Sequence, residues 1–161
     1  MTAASKYGAT EEIASALAAV LSERGLEVDE LPIEVAATVD EYEAVVAGSA
    51  VYAGRWMKTA RGFIERNAAQ LSARPVWLFS SGPIGDPPKP SEDPVDVSSL
   101  IELAGARDHR VFAGRLDRGR LSFGERAIAT ALRAPDGDFR DWDDVRTWAS
   151  GIADALGERD A

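Results

Sequence analysis

Ser5-Lys6-Tyr7-Gly8-Ala9-Thr10 brings hydroxyls, a lysine and a glycine together close to the start of the chain. Ser5 and Thr10 offer hydroxyl donors, while Gly8 and Ala9 let main-chain N–H groups come near an anion. From Glu11 onward the apolar residues Ile13, Ala14, Leu17, Val20 and Leu21 keep helical spacing, so a helix N-terminus with free amides and a positive dipole end faces the same space. The chemistry this permits is the holding of a phosphate. The same residues permit a plain turn at Gly8 and an N-cap at Thr10, and the loop alone leaves both readings open. A Walker loop is excluded because no Lys-Ser/Thr pair follows a second glycine, and the GxGxxG fingerprint is absent. Two further segments, 49–55 and 80–86, are also rich in small and hydroxyl residues that expose main-chain donors.

Composition narrows the chemistry further. The chain has 161 residues and no cysteine, which excludes disulfides, thiolate nucleophiles, iron–sulfur clusters and zinc–thiolate sites. Its single histidine, His109, argues against a multi-histidine metal site and most histidine-based triads. No metal ligands are expected. A net charge of −9 disfavours nonspecific nucleic-acid binding and steers the protein toward basic partners. No apolar run approaches the roughly 18 residues of a membrane span and no signal-peptide pattern occurs, so a cytoplasmic globular protein is the expectation.

The loops need elements to position them, and the hydrophobic pattern supplies these. Gly25 stands where a helix C-terminal cap is favoured. Leu26 to Leu31 alternates as an edge strand does, whereas Tyr42 to Tyr52 and Pro75 to Ser81 are nearly unbroken apolar runs that suit strands covered on both faces. Ala60, Phe63, Ile64, Ala68 and Leu71 mark one helical stripe. A weaker helix is expected over 95–105, a last strand over 109–116, an amphipathic segment near 123–132, a turn over 134–138 and a final helix carrying Val145, Trp148, Ile152 and Leu156. Strands alternating with helices imply a parallel sheet with helices on both faces, doubly wound, in one domain spanning 1–161. Ligands in such sheets sit beyond the carboxyl ends of the strands, which is where 5–10, 49–55 and 80–86 fall.

The register Ser5, Gly8, Thr10, Ala14, Leu17 resembles the phosphate-loop signature of the flavodoxins, which bind flavin mononucleotide (FMN). The stretches 48–71, 73–82 and 111–128, with Asp141-Trp142 beyond, are similar to the flavodoxin-type protoporphyrinogen IX dehydrogenase family. The resemblance implies a flavodoxin-like α/β fold, a doubly wound five-stranded parallel sheet in the order 2-1-3-4-5. It assigns Ser5, Lys6, Tyr7, Gly8, Ala9 and Thr10 to the FMN phosphate. It places Ser49, Ala50, Val51, Tyr52, Ala53 and Gly54 beside the isoalloxazine ring, with Ser80, Ser81, Gly82, Pro83, Ile84 and Gly85 as the second ring loop. The flavin would be the redox centre, taking electrons from protoporphyrinogen or another small organic substrate and passing them to a quinone or a redox-partner protein. Tyr52 and Trp56 are expected on one side of the ring, and the other loop offers no aromatic. The alternative is a flavodoxin-type shuttle without a substrate site, which the acidic charge favours; a flavin-free relic used for protein contacts is a third possibility.

Several features stay open between functional and plain roles. Arg115, Arg118, Arg120, Arg126 and Arg133 gather around one segment. They suit a basic rim for propionates or anionic lipid, with Phe123, Ile128 and Leu132 touching substrate or making peripheral membrane contact. They equally suit a solvated helix whose apolar face packs on the core. His109 is expected at the surface, and Trp142 and Trp148 in packing. Pro87-Pro88-Lys89-Pro90 is expected to stiffen a loop that rims the site. Only four residues precede the phosphate loop where about five strand residues are expected, so the first strand is expected to be shortened and an upstream-extended chain to be more stable.

Overall fold

The computed structural model describes residues 1–84 and 91–158. Its centre is a parallel sheet in the order β2-β1-β3-β5-β6, formed by Leu31–Pro32, Thr2–Ala4, Val45–Tyr52, Val76–Ser81 and Asp108–Phe112. A two-residue strand β4, Arg55–Trp56, turns back antiparallel on the end of β3. The five parallel strands therefore follow the expected doubly wound order. The alternating stretch 26–31 forms a strand only at Leu31–Pro32, because its neighbour β1 offers just Thr2 and Ala3 to pair with.

Side chains alternate across the sheet and explain the unbroken apolar runs. Val46, Trp77, Phe79 and Phe112 face α1 (Ala9–Glu23) and α6 (Trp142–Gly157), meeting Ile13, Leu17, Val145, Trp148 and Ile152. Val45, Ala47, Val76 and Leu78 face α2 (Lys58–Arg66), α3 (Ala68–Ser72) and α4 (Val97–Ala104), meeting Phe63, Ile64, Leu71 and Leu100. Phe79, Phe112 and Trp148 pack with ring centroids 5.6 to 6.3 Å apart. Phe79 lies over Gly48, where an added Cβ would stand 2.2 Å from its ring. Glycine at that position is what lets the aromatic cluster reach the sheet.

Two expected elements are divided. The helical stripe over 60–71 splits at Asn67, whose buried side-chain amide donates to the Phe63 carbonyl at 2.9 Å. The last strand ends at Phe112, and Arg115–Leu116 (β7) instead pairs antiparallel with Gly137–Asp138 (β8), off the main sheet. Between them lies α5, Phe123–Ala131, begun by a capping box in which Ser122 and Glu125 satisfy each other's main-chain amides. Its apolar face does not pack on the core. Phe123 is 90% exposed, Ile128 62% and Leu132 72%, and Ala129 is the buried residue of the helix.

Candidate functional site

The 5–10 loop joins the buried end of β1 at Ala4 to the start of α1 at Ala9. Gly8 takes a left-handed φ of 82° at the helix N-cap, a conformation that favours glycine. A Cβ added there would meet nothing within 4 Å, so open space lies beside the turn. No side chain caps α1, and the Thr10 N–H reaches only the Ser5 hydroxyl at 3.4 Å. The first-turn amides are thus left facing outward, as anion binding at a helix N-terminus requires.

Positive groups surround the loop from the far end of the chain. The Tyr7 carbonyl accepts from Arg120 at 3.1 Å and Arg115 at 3.5 Å, and the Ala9 carbonyl accepts from Arg140 at 3.2 Å. Carbonyls that would repel an anion are thereby engaged by guanidinium groups. Glu12, one turn into α1, is neutralised by Arg140 at 2.7 Å and Arg115 at 3.2 Å, and these hold its carboxyl below the usual range. Arg140 does the same for Asp138. The Lys6 ammonium and the Tyr7 hydroxyl both bond Glu125 at the start of α5, and with the Ser122 amide they push that carboxyl down to about 2. The α1 amides and the Ser5 and Thr10 hydroxyls are the donors left for a phosphate dianion, while Lys6, Arg115, Arg120 and Arg140 are engaged by carboxylates and loop carbonyls around it.

Strand register brings the other two segments to the same edge. Ala4 lies opposite Ser49, and Ser49 opposite Ser80. The turn after β3 contains consecutive left-handed residues, Ala53 at φ 50° and Gly54 at φ 71°. Two of the three buried serine hydroxyls at this edge, Ser49 and Ser80, are committed to the protein. Ser49 accepts from the Met57 amide at 3.0 Å and donates to the Ala50 carbonyl at 2.8 Å; Ser80 accepts from the Trp56 indole at 2.8 Å. What 50–54 and 81–84 offer a ligand is main chain, together with Tyr52 and the Ser81 hydroxyl. Tyr52 is 41% exposed, and burial, with Tyr7 nearby, raises the pKa of its phenol. Trp56 is not available as a ring platform, since it is 2% exposed in the core and spends its N–H on Ser80. An added Cβ at Gly82 would stand 3.1 Å from the Val51 Cβ, and one at Gly114 3.2 Å from the Gly82 Cα, so the second loop packs close against the first. Gly85 and the 86–90 segment with Lys89 lie outside the described residues.

The arginines and Glu125 were not legible as loop partners. Only the Ser122-Phe123-Gly124-Glu125 spacing carried a signal, and it was a helix-cap signal. His109 was also placed differently by sequence. It is half-buried, with Nε2 2.8 Å from the Ser80 hydroxyl. Among the described residues no helix is long and apolar enough to cross a membrane.

Comparison with known proteins agrees with this architecture. Solved structures with the same fold include a flavodoxin from the domain Archaea, 14% identical, covering 98% of this chain and 99% of that one at a TM-score of 0.65. The flavodoxin of Streptococcus pneumonia TIGR4 is 18% identical over 96% of each chain, with a TM-score of 0.62. The rubredoxin oxygen:oxidoreductase of Desulfovibrio gigas is 15% identical over 99% of this chain and 36% of its own, with a TM-score of 0.67. No curated protein matches the sequence. The family model described as "Flavodoxin domain" matches residues 1–143. Proteins of that family bind FMN and transfer electrons, and the uncapped N-terminus of α1 behind the 5–10 loop is compatible with a phosphate. This chain belongs to the flavodoxin domain family.

Proposed function

We infer that the protein, acting as one domain over 1–161, is an FMN-dependent oxidoreductase similar to the flavodoxin-type protoporphyrinogen dehydrogenases. Residues 5–10 hold the phosphate, and 49–54 and 80–85 hold the ring through main-chain donors and acceptors. Bound FMN supplies the redox chemistry, drawing two electrons from a small organic substrate and releasing them to a quinone or a redox-partner protein. The protein positions that centre: Thr10, Ser5 and the α1 amides grip the phosphate, Arg115, Arg120 and Arg140 mask the loop carbonyls, and Tyr52 borders the ring.

One observation carries the choice of an organic substrate. The exposed apolar face of α5 is accompanied by the exposed residues Arg120, Arg126 and Arg133, and Glu125 ties the helix to Lys6 and Tyr7. An apolar surface edged with cations beside the cofactor loop suits a flat amphiphile with carboxylates, such as a porphyrinogen, or a quinone at a membrane surface. The shuttle reading rests on the −9 charge, which suits docking to a basic redox protein. Anaerobic turnover of protoporphyrinogen with menaquinone by the FMN-loaded chain is the expected result. One-electron exchange with redox proteins and no porphyrinogen turnover leaves the shuttle instead.

A further inference from the structure

A line of hydrogen bonds crosses the sheet edge beneath the two ring loops. The Trp56 indole on β4 donates to the Ser80 hydroxyl on β5 at 2.8 Å, and the same oxygen lies 2.8 Å from His109 Nε2 on β6. Ser80 is fully buried and Trp56 is 2% exposed, so neither can exchange its partner for water. An indole N–H can only donate. The Ser80 oxygen accepts from Trp56, and among the described residues His109 Nε2 is the acceptor its own proton meets when the imidazole is neutral with its proton on Nδ1.

The chain is placed to act on both loops. Trp56 closes the hairpin that carries the 52–55 turn, and its main-chain N–H is held by Asp96 at 3.3 Å. The neighbouring Met57 amide is held by Ser49 at 3.0 Å. Ser80 opens the second loop. Protonation of His109 reverses the polarity of the last link: Nε2–H must donate to the Ser80 oxygen, and the buried hydroxyl proton loses its acceptor. Leaving a buried hydroxyl unpaired costs on the order of a lost hydrogen bond, so the Trp56–Ser80 contact has to adjust. Among the described residues, the charged groups that bear on this imidazole are Asp93, from the segment ahead of α4, and Asp108 on its own strand. Asp108 is itself held by the Trp148 indole at 2.7 Å and by the His109 amide at 2.9 Å.

We propose that His109, Ser80 and Trp56 form a proton-responsive hydrogen-bond chain that sets the two ring loops against each other, with His109 as its titratable end and a positioning residue for the cofactor. This rests on the assignment of 49–54 and 80–85 to the flavin ring. Desolvation lowers the His109 pKa below its ordinary 6.5, against the pull of the two aspartates. At neutral pH the chain is intact. As pH falls below that ordinary value, a cation forms beneath the ring loops and favours the reduced, more anionic cofactor.

Two measurements test this on the full chain. The first needs no cofactor. In ¹H–¹⁵N spectra the Trp56 indole resonance, assigned with Trp56→Phe, is expected to titrate together with the His109 ring and to stop doing so in Ser80→Ala. An indole signal that ignores His109 protonation overturns the proposal, whether or not the protein binds FMN. The second follows the FMN midpoint potential against pH. Wild type is expected to show an added inflection below pH 6.5, with the ratio of reduced to oxidised FMN affinity rising about tenfold, about 30 mV for a two-electron couple. His109→Gln, which keeps hydrogen-bonding capacity without titrating, is expected to lose the inflection while binding oxidised FMN with near wild-type affinity. An identical pH profile in His109→Gln overturns the link to the cofactor. A coupled indole in a protein that takes up no FMN sinks the ring-loop assignment and leaves the chain standing.

Discussion

At the scale of single residues, the proposed phosphate loop would work by leaving main-chain and hydroxyl donors unspent. Ser5 and Thr10 sit at the mouth of α1, whose N-terminus carries no side-chain cap, and Gly8 keeps the space beside it clear. Thr10→Val removes a hydroxyl donor to a charged group, worth about 1.5–3 kcal/mol. FMN affinity is expected to fall at least about tenfold, read by quenching of flavin fluorescence; unchanged affinity would remove Thr10 from the phosphate site. His109 adds a second residue-scale effect. Its folded pKa lies below the ordinary 6.5 because of burial, so the unfolded chain takes up the proton first as pH falls. Stability contributed by neutral His109 is present above 6.5 and is lost as pH drops from there toward the folded value. Urea unfolding midpoints are expected to decline over that window in wild type and to decline less in His109→Gln.

Elements carry the next layer. β3 and β5 are packed on both faces, and Gly48 is the point where Phe79 lies against β3. Gly48→Ala forces a Cβ into that ring, and a loss of about 2 kcal/mol or more is expected in denaturant titrations. Helix α5 behaves in the opposite way. Because Phe123 is 90% exposed and Ile128 62%, the double change Phe123→Ser with Ile128→Ser removes little buried area. Its stability is expected to stay within about 0.5 kcal/mol of wild type, while KM for porphyrinogen or quinone rises. Loss of stability without any kinetic change would mean that the face packs within the protein rather than meeting a substrate.

For the whole molecule, charge is distributed unevenly. The chain carries −9 overall, yet Arg115, Arg120 and Arg140 converge on one loop and Arg126 and Arg133 stand on or beside α5. An acidic remainder would steer a basic redox partner toward the molecule, and salt would screen that steering. Raising ionic strength from about 0.01 to about 1 M shortens the Debye length from about 30 to about 3 Å. The association rate with a cationic partner is expected to fall steeply over that range in stopped-flow measurements. A rate insensitive to salt would exclude charge-steered docking.

The sequence by itself determined the order of the main strands and helices, because each was written in local spacing. The stripe from Ile13 to Leu21, the glycine at 25 and the apolar runs ending at Tyr52 and Ser81 depend only on residues a few positions apart. The 5–10 loop reads as a candidate phosphate site for the same reason, since its hydroxyls, glycine and helix start are contiguous. Only the tertiary structure decided how those groups are spent. Lys6 meets Glu125 across 119 positions and Ala9 meets Arg140 across 131, contacts set by the crossovers that return the chain to the same sheet edge. Trp56 reads as a flavin platform in sequence, but β4 folds it inward, where its N–H must find Ser80. The apolar face of α5 reads equally as core or surface, and the β7–β8 pair holds that helix away from the sheet. Periodicity states that a face is apolar; which surface covers it depends on where the rest of the chain has gone.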